Sequence, residues 1–113
     1  MVNIEFNLND EDLTILDYLE LEMQHTSSGG KGEATYGRIL VNDKPYLDIT
    51  VEARDINEWG KPIHIEKEYF KNGANIVALS LQGTKAPNGA EYVWWVKRIK
   101  LSEVLGFYYL PKK

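Results

Sequence analysis

The chain has 113 residues, of which 43% are hydrophobic and 27% charged, with a formal net charge of −4 and no cysteine. That length suits a single domain over residues 1–113 that buries a core of its own. The composition excludes disulfides, thiolate catalysis and Cys-based zinc sites. No apolar run is long enough for a membrane-spanning helix, and no clustered basic face points to nucleic acid.

The N-terminal stretch MVNIEFNLNDED is acidic and has neither the basic nor the apolar region of a secretory signal. The chain is therefore expected either in the cytoplasm or as the mature part of an exported protein. Seven acids precede the first cation, Lys31: Glu5, Asp10, Glu11, Asp12, Asp17, Glu20 and Glu22. The C-terminal part carries Lys97, Arg98, Lys100, Lys112 and Lys113. Complementary first and last strands lying side by side explain this asymmetry; an acidic cation-binding edge is the alternative.

Residues 17–24 (DYLELEMQ) alternate Leu19, Leu21 and Met23 with Glu20, Glu22 and Gln24. A period of two predicts a strand with one wet face. A helix over residues 10–24, capped by Asp10, is the competing reading. Residues 25–32 (HTSSGGKG) have the composition of a loop. Residues 36–41 (YGRILV) predict a strand with Ile39 and Val41 inward, and Asn42-Asp43-Lys44-Pro45 a turn. Residues 47–53 (LDITVEA) alternate again. Residues 57–62 (NEWGKP) are turn-rich, and residues 63–66 (IHIE) resume strand character.

Lys71-Asn72-Gly73 breaks the chain before residues 75–81, where Val77, Leu79 and Leu81 share the core face. Gly73 can take the positive φ of a tight turn, and Asn75 can bond local backbone beside it. Residues 82–90 form a loop and residues 92–101 the last clear strand. Extending the register of the Val77 face turns Trp95, Ile99 and Leu101 inward and Trp94 outward; a bulge would reverse this. Residues 107–110 (FYYL) add a terminal strand or pack across an edge. About seven to nine short strands with frequent turns and no βαβ alternation specify an all-β fold, a single antiparallel β-sandwich.

Three stretches carry a resemblance: residues 39–45 (ILVNDKP), residues 70–81 (FKNGANIVALSL) and residues 92–101 (YVWWVKRIKL). They resemble the strands and turns of galactose-binding-domain-like β-sandwiches, the jelly-roll architecture of many carbohydrate-binding modules. The likeness runs from about Leu16 to Val104. Calcium-containing members place acidic ligands on the first and last strands, whereas here the last strand offers Lys97, Arg98 and Lys100. A structural calcium through Glu11, Asp12 or Asp17 is therefore not expected, and no loop has calcium-type spacing.

Trp59 lies in a turn-like stretch, where its indole face is free to stack on a sugar ring, with Asn57, Glu58 and Lys61 beside it to bond hydroxyls. The alternative is that Trp59 folds back over an open end of the sandwich. Most aromatics of such a chain are packing residues. Lys97, Arg98 and Lys100 offer a basic strand face for acidic sugars, or simply a solvated one. His25, followed by Thr26-Ser27-Ser28, is a poor catalytic candidate because sequence adjacency does not build a triad. His64 is read as a surface strand residue.

These residues, with the resemblance, imply a non-catalytic module that binds a polysaccharide without a cofactor. Trp59, Asn57, Glu58 and His25 are the first candidates for contact, followed by Tyr92, Trp94 and Arg98. Such a module belongs to a larger, extracellular multidomain protein. The alternative is an assembly domain of a phage or cell-surface structure, burying its outer aromatics against a partner chain.

Overall fold

A computed structural model describes residues 1–28, 34–85, 89 and 91–106. Strands β1 (Val2–Leu8), β2 (Leu16–Ser27), β3 (Ala34–Val41), β4 (Lys44–Glu52), β5 (Ile63–Glu66), β6 (Gly73–Lys85) and β7 (Trp94–Leu105) form two antiparallel sheets. One has the order β1-β6-β3-β4 and the other β5-β2-β7. The expected all-β sandwich is therefore what the chain forms. Its core joins Leu19, Leu21 and Met23 of β2 to Ile39 and Val41 of β3 and to Val77 and Leu79 of β6. The period of two in each strand puts these residues on the inner faces.

The competing helix is confined to α1 (Asp10–Ile15), and it is Asn9, not Asp10, that caps it. Asn9 Oδ1 accepts from Asp12 N at 2.8 Å, and Asp12 Oδ2 accepts from Asn9 N at 2.9 Å. This reciprocal box satisfies two backbone donors that the first turn leaves open. From Leu16 the alternation of apolar side chains takes over and the chain is strand.

The β3–β4 hairpin turns on Asn42 and Asp43, with φ of 49° and 67°. Positive φ at both central residues matches the twist of the flanking strands. Asn42 also reaches Asn75, a buried joint near the start of β6. Gly73, at φ +100°, takes the left-handed turn expected of it.

Three expectations are corrected. β2 runs on to Ser27, so His25, Thr26 and Ser27 are buried strand residues rather than loop. Pairing with β7 overrides their loop-like composition. Leu81 is 52% exposed, although it keeps the parity of Val77 and Leu79. β1 begins at Val2, opposite Leu79, so β6 outruns its neighbour there. Finally, Trp94 is turned inward and Trp95 outward. Gln24 pairs with Arg98 but His25 pairs with Val96, which leaves Lys97 as an extra residue in β7. One extra residue exchanges the faces beyond it. Residues 107–110 and most of the loop after Ser28 lie outside the described residues.

Candidate functional site

The site is assembled where the chain crosses from β4 to β5. Residues 53–62 leave one sheet and lie against the other. Asp55 Oδ1 accepts from Asn57 N at 2.9 Å, and Asp55 O accepts from Glu58 N at 3.1 Å. These bonds tighten the segment into a local turn, as an aspartate at its start favours. The Arg54 guanidinium braces it from within, donating to the carbonyls of Glu58 and Trp59 at 3.3 and 3.1 Å.

β2 supplies the anchor. Thr26 Oγ1 donates to Arg54 O at 2.9 Å and accepts from Arg54 N at 2.8 Å. Gln24 Nε2 donates to Asn57 O at 2.9 Å, and Gly60 N donates to Met23 O at 2.8 Å. Gln24 and Thr26 are buried by these contacts, although they lie on the face opposite the core residue Met23. Gly60 suits this approach because it has no side chain to crowd it. A Cβ there would stand 3.0 Å from His25 Nε2, 3.1 Å from Arg54 Nη1 and 3.3 Å from the Met23 carbonyl.

His25 lies beneath the loop. Its Nδ1 accepts from Trp94 Nε1 at 3.0 Å, so the ring proton belongs on Nε2. Burial, and then the charge of Arg54, hold its pKa below the ordinary 6.5. Trp94 fills the space over Gly37, where a Cβ would come within 2.5 Å of Trp94 Cζ3. A neutral imidazole with its Nδ1 lone pair engaged serves here to close the end of the core.

The outer face of the three-stranded sheet is different. Trp59 pairs with Gln24 as an isolated antiparallel bridge, and Gln24 pairs in turn with Arg98. Trp59, Gln24 and Arg98 thus form one row across three chain segments. Trp95 stands in the next row, opposite Thr26. Trp59 is 42% exposed and Trp95 50%. Sheet geometry places the Trp59 and Arg98 backbones ~10 Å apart, with the Trp95 row ~7 Å farther along. Lys97, freed by the bulge, donates to Asn57 Oδ1. Beyond this row Glu22 pairs with Lys100, so acid-bearing β2 does lie beside basic β7.

Of the expected contact residues, Trp59, Asn57 and Arg98 lie along this face, whereas Glu58 lines a separate hollow with His25, Thr50, Glu52 and Arg54. His25 is beneath the loop, buried, and Trp94 is beneath it, half-buried. Tyr92 lies apart, in a hollow with Leu81, Gln82 and Thr84. Trp95 and Arg54 belong to the site without having been singled out as contacts. The signal for Trp95 is in WWVKRIKL: the apolar positions 94, 96, 99 and 101 change spacing from two to three at Lys97.

A second concavity of about 530 Å³ opens between the edge strands β4 and β5, lined by Tyr46, Leu47, Ile63 and Tyr69 among others. Tyr46 joins the sheets there, its hydroxyl donating to His64 O at 2.8 Å while its ring meets Tyr69 edge-on at 4.7 Å. His64 is exposed, as expected, and stacks on Tyr18. Among the described residues no three His, Asp or Glu side chains converge as a metal-type cluster. Of the acids weighed for calcium, Asp12 is engaged in the helix cap.

No family model, curated protein or solved structure matches the chain.

Proposed function

We propose that this domain is a non-catalytic carbohydrate-binding module of a larger exported protein, with the jelly-roll, galactose-binding-domain-like architecture its strand motifs resemble. The observation that carries this reading is the outer face on which two exposed tryptophans, Trp59 and Trp95, flank Arg98. An indole is a rigid, amphipathic surface that contributes contact area with little entropy to lose. The apolar C–H face of a sugar ring suits it, and Asn57 and Arg98 on the same face offer groups that bond hydroxyls. The base needed for hydrolysis has no obvious source in His25, whose Nδ1 is already taken by Trp94.

Affinity electrophoresis through gels carrying a panel of polysaccharides tests the reading. At least one glycan should retard the domain, and Trp59→Ala or Trp95→Ala should weaken retention about tenfold, equivalent to ~1.4 kcal/mol. A domain that runs unretarded through every glycan sinks the proposal.

The groove between β4 and β5, where Leu47 and Tyr69 are exposed, favours a second reading, an assembly domain that buries them against another chain. Light scattering separates the two, since that reading requires a stable oligomer or complex.

A further inference from the structure

The charges around the two tryptophans narrow the ligand class, given the carbohydrate reading. Arg98 is exposed and, among the described residues, has no carboxylate or carbonyl partner. Its cross-strand neighbour is Gln24, an uncharged side chain turned away into the loop, where it bonds Asn57 O. The flanking cations are differently placed. Lys97 is tied to Asn57 Oδ1, and Lys100 faces Glu22 across the strand pair. Among the described residues Lys100 forms no ion pair with Glu22, but it has that acid as its cross-strand neighbour, whereas Arg98 has none on β2 and stands in the same row as Trp59.

We propose that the face selects a carboxylate-bearing glycan, a polyuronate, with a uronate carboxylate on the Arg98 fork and neighbouring rings on Trp59 and Trp95. A guanidinium presents two parallel N–H donors that match a carboxylate edge, which a lysine ammonium cannot reproduce. An aromatic platform beside the fork favours a charged ring over a free carboxylate ion. Glu22, two residues from Gln24 on the same face of β2, tempers the positive field there, so recognition depends on the fork rather than on net charge.

The test uses the whole chain on gels containing polygalacturonate, its methyl ester, a sulfated galactan and a neutral glucan. Polygalacturonate should retain the domain most strongly, and methyl esterification should weaken retention about tenfold or more. Raising salt from about 0.05 to about 0.5 M should weaken the polyuronate interaction and leave any neutral-glycan binding in place. Arg98→Gln and Arg98→Lys should both lose the preference, while Lys100→Gln keeps it. Thermal melting of each variant should match the parent, because Arg98 has no structural partner.

Equal retention by the ester and the free acid, or by the sulfated galactan, overturns the inference and leaves the carbohydrate reading standing. An Arg98→Lys variant that binds like the parent, or a Lys100→Gln variant as weak as Arg98→Gln, also overturns it. Failure on every glycan removes both.

Discussion

His25 couples the loop-covered edge of β2 to the core. Its Nδ1 holds the Trp94 indole N–H at 3.0 Å, and Trp94 covers Gly37 of the opposite sheet. Burial and the neighbouring Arg54 charge both disfavour the imidazolium, so the folded pKa lies below 6.5. In the unfolded chain the ring titrates near its ordinary value. As pH falls through about 6.5 the unfolded state therefore takes up a proton that the folded state refuses. Stability declines from there down to the folded pKa and then levels off for this group. Urea unfolding at about pH 7.5 and about pH 5 should show that loss. His25→Asn, whose carbonyl can accept the indole N–H but does not titrate, should have a shallower slope. An unchanged slope in the variant would place the pH dependence outside His25.

At the scale of elements, the strands were legible where alternation was strict, and their limits were not. Leu19, Leu21 and Met23 announce the inner face of β2 because water and core select opposite parities. The extension of β2 through Ser27 was not legible, because Thr26 is held by the distant Arg54 backbone and Ser28 pairs with Val93. Composition carries no such long-range information. β1 is not among the strands expected from the sequence, although Val2, Ile4, Phe6 and Leu8 alternate. The opposite orientations of Trp94 and Trp95 depend on the single extra residue at Lys97, and only the change of apolar spacing hints at it.

Asn75 joins these elements. Its Oδ1 accepts from Lys71 N and Asn42 Nδ2, both at 2.9 Å, and its Nδ2 donates to the carbonyls of Lys71 and Gly73. The sequence suggested only its local bonds; its link to the β3–β4 turn is tertiary. Asn75→Ala leaves several partners unpaired in a buried site and should cost about 2 kcal/mol or more, read by urea unfolding. Asn75→Asp should cost more, since it points a carboxylate at two carbonyl oxygens. A neutral effect of either substitution would show that the joint contributes little.

Viewed as a whole molecule, the sandwich turns one crossing segment into a platform. The chain passes from β4 in one sheet to β5 in the other, and residues 53–62 are held on β2 by Gln24, Thr26 and the Met23 carbonyl. Trp59 acquires its place on the outer face only through that seating. Two substitutions separate seating from contact. Trp59→Ala removes an exposed ring and should weaken glycan retention with little change in melting temperature. Gly60→Ala adds a Cβ against His25, Arg54 and the Met23 carbonyl, so these side chains or the loop must give by a few tenths of an ångström. It should cost about 1–3 kcal/mol and weaken retention as well, although Gly60 offers no side chain to a ligand. If Gly60→Ala melts and binds like the parent, the close approach of this loop to β2 is not what positions the binding face.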